Sequence, residues 1–246
     1  MKPMRIPKSF LLRITIAAPL LFVAYAAVLC IPQPVFAYSA HAGSLVLHSD
    51  RPFEESAAQQ VLQLAQKKLE RSPLYSAADP HNVYICNSRW RQALFFNKDF
   101  GVGGVAPYPI TSNVFLRDAS VGENRLISPS GKPVAGDRTL DYFVAHEVTH
   151  QLTGRALGPI RYFRLPQWVR EGYADYVGKG ASFNYDEARR AFLANAREMD
   201  WKRSGLYWRF HLLVAHLLDH QHWTVDRLLN NPPPQADVEA AVAREL

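Results

Sequence analysis

Asp141-Tyr142-Phe143-Val144-Ala145-His146-Glu147-Val148-Thr149-His150 is the stretch on which the reading of this chain turns. It contains His-Glu-x-x-His. Residues four apart on an α-helix lie one above the other on the same face. Two imidazoles so placed can aim ring nitrogens at one zinc ion. The glutamate between them is placed to take a proton from water at that metal. Leu140, Phe143, Val144 and Val148 form the apolar stripe of the same helix, and the two histidines lie on its polar side. The helix is expected to start near residue 138 and to run to about Gly154. The pattern alone arises by chance in roughly 1% of chains of this length, so its surroundings must decide its meaning.

Upstream, residues 118–137 carry Gly122, Pro129, Gly131, Pro133 and Gly136 and read as a loop. Residues 111–117 read as a strand around Asn113-Val114-Phe115-Leu116. Residues 101–109 are rich in glycine and proline, hence a loop that could serve as a flap. It lacks the strand-to-helix setting of a phosphate-binding turn. Asn82-Val83-Tyr84-Ile85-Cys86 and residues 44–49 are two further strands, and residues 90–96 a short helix. In residues 54–69, Ala57, Val61, Leu64 and Leu69 recur at helical spacing, and Glu54-Glu55 suit the helix dipole at its start.

The first 37 residues have a different character. Lys2, Arg5, Lys8 and Arg13 precede an apolar run over residues 14–31, then Pro32-Gln33-Pro34 and Val35-Phe36-Ala37. This is the layout of a secretory leader with cleavage after Ala37. Ala24-Tyr25-Ala26 is a second small-x-small site inside the run. The run has 18 residues, enough to span a bilayer, so an uncleaved anchor is the competing reading. Either way the positive start stays in the cytoplasm and the body, residues 38–246, is exported. A lipid-modified Cys30 is disfavoured because Leu29 stands where a small residue is needed. Four of the six net positive charges belong to the leader, which argues for membrane targeting and against nucleic acid as a partner. With two cysteines in all, a disulfide scaffold is excluded, and Cys86 reads as a small buried side chain.

Downstream, a helix is expected over Trp168-Val169-Arg170-Glu171-Gly172-Tyr173-Ala174-Asp175-Tyr176. More helices follow over residues 186–199 and 206–218, and an Ala-rich one closes the chain after Pro232-Pro233-Pro234. Strands with a helix first and helices only afterwards make an α+β fold: a small N-terminal mixed sheet, the histidine-bearing helix, and a helical C-terminal half.

His146-Glu147-x-x-His150 followed 21 residues later by Glu171-Gly172-x-Ala174 resembles the gluzincin metallopeptidases, closely over residues 140–180. Another zincin class has a third histidine six residues after the second and a glycine between; Ala156 and Thr153 occupy those places here. The resemblance implies a zincin-like fold and one Zn²⁺ held by His146, His150 and Glu171. It implies Glu147 as general base, a peptide or protein substrate, and Asp175 holding His146 from behind. It also implies a Tyr or His from the C-terminal part as oxyanion donor, for which Tyr207 and, less favoured, His211 are candidates. An edge strand that pairs with extended substrate is implied too, with residues 111–117 and Asn113 as candidates. His216 and His220 have the spacing of a second metal pair but lack a carboxylate on their face, and they read as helix-end histidines. The expected function is that of an exported or membrane-anchored zinc peptidase. The alternative is a zinc-stabilised binding or assembly protein on the same fold, since fold does not fix function; the intact Glu147 favours the enzyme.

Overall fold

The computed structural model describes residues 8–97 and 102–245, with side chains from residue 17 onward. The fold is α+β, with a small mixed sheet followed by helices. A leading helix, α1 (Lys8–Cys30), and a short turn at Gln33–Val35 precede the sheet. The start of the leader at Lys2 and Arg5 lies outside the described residues. Among the described residues no helix is long and apolar enough to cross a membrane.

The sheet has five strands: β1 (Tyr38–Ala42), β2 (Leu45–Ser49), β3 (His81–Cys86), β4 (Gly104–Val105) and β5 (Val114–Arg117). Their spatial order is β1-β2-β3-β5-β4, parallel from β2 through β5 and antiparallel at both edges. Parallel neighbours need crossovers, and α2 (Glu55–Leu69) supplies the one between β2 and β3. Helix α3 (Arg89–Phe96) follows β3. β6 (Ala119–Ser120) and β7 (Arg125–Leu126) form a separate two-stranded ribbon. The interior strands are apolar in near-continuous runs because both faces are covered. On one face α2 and the histidine-bearing α4 (Leu140–Leu157) bury Leu45, Leu47, Val83, Ile85 and Leu116. On the other, Tyr84, Cys86 and Phe115 pack with Phe95 and Phe96 of α3 and with Leu29 and Phe36 of the leader.

Helix α4 differs from the expected one-sided stripe. From Leu140 to Gly154 every residue is buried. The helix is sandwiched between sheet and α2 on one side and α6 (Gln167–Lys179) on the other, so its polar side chains find partners inside the protein. Asp141 pairs with Lys68 Nζ at 2.6 Å and accepts from Asn124 Nδ2 at 2.6 Å. Thr149 Oγ1 donates to Ala145 O, and Gln151 Nε2 to Asn113 O. The helix stops at Gly158, whose φ of +73° with ψ 163° is a positive-φ conformation that essentially only glycine adopts.

After a short α5 (Pro159–Arg164), α6 packs against α4 and against α9 (Trp208–Ala215). A Cβ on Gly172 would lie 2.6 Å from Phe210 O, so the glycine permits the close α6–α9 approach. Between them run α7 (Tyr185–Leu193) and α8 (Trp201–Ser204). The expected long helix over residues 186–199 therefore stops at Leu193, where Asn195 turns with φ +48°. A π-helical turn at His216–His220 continues α9, and α10 (Val225–Asn230) and α11 (Gln235–Arg244) complete the chain.

Candidate metal centre and cleft

One helical turn of α4 places His146 and His150 side by side, with Nε2 atoms 3.2 Å apart. Helix α6 crosses α4 so that Glu171 Oε2 lies 3.7 Å from His146 Nε2 and 3.5 Å from His150 Nε2. Tetrahedral zinc with ligand bonds near 2.0–2.2 Å requires donor–donor separations of about 3.3–3.6 Å. The three measured separations bracket that range, so these residues fit a zinc ion. Among the described residues this is the one group of three such side chains whose donor atoms converge.

The charge balance agrees. Burial opposes ionisation of Glu171, yet His150 and His146 hold its carboxyl well below the usual range. Burial raises Glu147, and the two histidines offset part of that rise. On His146 burial opposes a positive charge, but the hydrogen bond and charge of Glu171 and the charge of Glu147 outweigh it. Two carboxylates and two imidazoles withdrawn from water around one point form a donor set suited to a cation.

The expected hydrogen bond from His146 to Asp175 is not made. Tyr142 stands between them. Its hydroxyl donates to Asp175 Oδ1 at 2.5 Å, and its oxygen lies 3.3 Å from His146 Nδ1. With the phenol proton directed at Asp175, the oxygen accepts the His146 Nδ1 proton and leaves Nε2 free for a metal. Burial, reinforced by Asp175, pushes the Tyr142 phenol well above its ordinary value, so it stays a donor. His211 Nδ1 donates to Asp175 Oδ2 at 2.9 Å. Burial alone would raise Asp175; the His211 hydrogen bond together with the charges of His211, Lys179 and His146 outweighs it and brings the carboxyl down to about 2. Burial likewise pulls His211 down, which suits a neutral imidazole donating one N–H. Tyr142 was legible in principle: it precedes His146 by one helical turn, as His146 precedes His150.

A cleft of about 1030 Å³ opens over this cluster, and His146, Glu147, His150, Glu171 and Tyr207 line it. Tyr207 stacks on the His146 ring at 5.9 Å between centroids. Burial, then the charges of Glu171 and Glu147, keep its phenol protonated. His211 is 1% exposed, behind Asp175, and does not reach the cleft. Of the two oxyanion candidates, the structure therefore brings only Tyr207 to Glu147.

The substrate-strand expectation needs correction. β5 is interior, flanked by β3 and β4. Asn113 is 4% exposed, and its amide donates to Leu29 O and Cys30 O, so it is not open to a ligand. The edge beside the cluster is β4, at residues read as loop. A Cβ on Gly103 would fall 2.4 Å from the Phe143 ring, and one on Gly104 2.7 Å from Glu147 Cγ. The paired glycines let this strand run directly over α4, a close approach that only their missing side chains allow.

The expectation that His216 and His220 lack a carboxylate on their face needs correction: both face Glu245, at 3.0 and 3.7 Å, and tie down the C-terminal segment. Among the described residues, however, their donor atoms do not converge as those of His146, His150 and Glu171 do. Cys86 is buried and Cys30 exposed, both free. No family model, curated protein or solved structure matches this chain.

Proposed function

We propose that this chain is a zinc-dependent peptidase with a zincin-like catalytic domain of gluzincin type, exported and tethered to the membrane by its N-terminal segment. The observation that carries the reading is the convergence of His146 Nε2, His150 Nε2 and Glu171 Oε2 within 3.2–3.7 Å beside Glu147, at the floor of an open cleft. A purely structural zinc site is closed by four protein ligands, whereas three leave a position for chemistry.

His146, His150 and Glu171 would hold the metal. Zinc in such a donor set supplies Lewis acidity and lowers the pKa of water toward neutrality. Glu147 takes the proton from the attacking water. Its buried setting raises its carboxyl toward the range in which one group can both accept a proton and return it to the leaving amine. The Tyr207 hydroxyl donates to the oxygen that gains negative charge as the peptide carbonyl is attacked. Gly104 and Val105, on the open edge of the sheet, offer backbone groups to an extended peptide lying along the cleft.

The test is elemental analysis of the purified chain, followed by a peptide-library assay of the parent and of Glu147→Gln with and without chelator. About one zinc per chain and a chelator-sensitive activity lost in Glu147→Gln are expected. Bound zinc with equal turnover by parent and variant would overturn the proposed mechanism. Bound zinc without turnover in either would favour a binding protein.

A further inference from the structure

The leader does not end where the folded body begins. Tyr25 Oη donates to Leu94 O at 2.9 Å, and Asn113 Nδ2 donates to Leu29 O at 2.8 Å. The Arg91 guanidinium donates twice to Val35 O, at 3.0 and 2.7 Å, while ion-paired to Asp50 and lying over the Phe36 ring. Leu29 and Phe36 are 2% and 7% exposed. Phe36 sits 4.9 Å from Tyr84 and 5.7 Å from Phe95 between ring centroids. These contacts complete the second apolar cluster, on the face of the sheet away from α4. A chain cut after Ala37 would lose both side chains. It would bare Tyr84, Phe95 and Phe115 and strip the partners from the buried amide of Asn113, which is costly in water-excluded surroundings. Tyr25 and Leu29 also line the cleft that holds His146 and Glu147.

We infer that residues 25–36 are a permanent part of the folded protein: they stay in the mature chain, and through Tyr25 and Leu29 they contribute to the wall of the cleft. Neither the small-x-small site Ala24-Tyr25-Ala26 nor the expected cleavage point after Ala37 is then a processing site. The exposed apolar side chains Leu20, Leu21, Phe22 and Val23 lie just before this wall. On the membrane-tethered reading proposed above, Leu29 follows Val23 by about 9 Å of helix axis, which holds the cleft rim close to the bilayer surface.

The full-length chain with a C-terminal tag is expressed in a secretion-competent bacterial host. The population open to protease added outside the cytoplasmic membrane is isolated, and its N-terminus is mapped by mass spectrometry. A mature N-terminus at or before Tyr25 is expected; any start after Tyr25, Tyr38 above all, overturns the inference. In parallel, Leu29→Ser and Phe36→Ala are melted as purified full-length chains. Loss of a buried Leu or Phe side chain should lower Tm by roughly 10 °C, and an unchanged Tm for both also overturns it. Neither measurement uses peptide hydrolysis, so a failure here and a failure of the proposed activity are told apart.

Discussion

Tyr142 donates its hydroxyl proton to Asp175 at 2.5 Å, and this contact decides how the first histidine is held. A carboxylate bonded directly to His146 would accept the imidazole proton itself. Here a phenol on the same helix does so, and the carboxylate fixes the phenol. His211 locks Asp175 from the other side at 2.9 Å, so four side chains from three helices form one buried chain. The arrangement ties the tautomer of His146 to the packing of α4, α6 and α9.

Tyr142→Phe removes the acceptor for His146 Nδ1–H and keeps the ring. Zinc affinity is expected to fall about 10-fold or more, since groups orienting metal-bound histidines are worth 10–100-fold. The change is small beside the cost of truncation, so the fold should hold. Competition against a fluorescent chelator, with circular dichroism as the control for folding, measures this. Asp175→Asn should act more on stability, because it weakens charge-assisted hydrogen bonds worth about 1.5–3 kcal/mol each.

Glu147→Gln keeps the shape of the side chain and removes its basicity. Turnover of any cleaved peptide should fall by about 10²–10⁴-fold, the range of general acid–base catalysis. Zinc content should stay at the parental value because Glu147 is not among the converging donor atoms. Paired metal analysis and steady-state kinetics on one preparation check both halves.

Gly104→Ala tests the strand that runs over the cluster. The new Cβ would lie 2.7 Å from both Glu147 Cγ and Leu116 Cδ2, so either the edge strand or Glu147 must move. Overpacking of this kind costs about 1–3 kcal/mol. The expected result is a kcat/KM loss larger than the drop in Tm would explain, with zinc content retained. A variant with parental kinetics would show that the position of β4 does not matter to the site.

Much of this was legible in the residues, and the exceptions have physical causes. Helix α4 was readable because His146 and His150 share a face and apolar positions recur at helical spacing. Its burial on all sides was not, because Asp141, Thr149 and Gln151 read as solvent-facing until Lys68, Ala145 and Asn113 supply their partners. β1 escaped because Tyr38-Ser39-Ala40-His41-Ala42 has neither β-branched residues nor clear alternation; its pairing with β2 makes it a strand. β4 escaped because Gly103-Gly104 signals a loop by composition, whereas here the glycines answer to contact with Phe143 and Glu147. That His146, His150 and Glu171 could share one ion was readable from their spacing and the resemblance, and the structure brings their donor atoms together, but the link from His146 to Asp175 through Tyr142 needed the third dimension.

His81 sets an expected acid sensitivity away from the cleft. It is 1% exposed, its Nε2 has no partner, and Arg155 Nη2 lies 3.4 Å from its Nδ1. Burial, helped by the Arg155 charge, lowers its pKa from 6.5 to about 4. The folded state thus holds this imidazole neutral where the unfolded chain protonates it. Its contribution is complete above pH 6.5 and is lost as pH falls toward 4, by up to about 3 kcal/mol at 1.36 kcal/mol per unit. His81→Gln should flatten that part of the stability–pH curve, read from urea melts at pH 7, 5.5 and 4. An unchanged slope would assign the acid sensitivity to other groups.

Tyr207 and His211 were the two oxyanion candidates, and their surroundings predict opposite phenotypes. Tyr207 lines the cleft and stacks on His146; His211 is sealed behind Asp175. Tyr207→Phe keeps the ring and its stacking but removes the donor. It should lower kcat by about 10²–10³-fold, the cost of losing one oxyanion donor, with KM and Tm near parental values. His211→Ala leaves Asp175 short of a buried partner and opens a cavity among Tyr176, Phe183 and α6, so its main effect should be a lower Tm. At a temperature where that variant is fully folded, it should keep more activity than Tyr207→Phe. The reverse order would move the oxyanion role away from Tyr207, because a buried residue 1% exposed cannot meet a substrate carbonyl without first leaving Asp175.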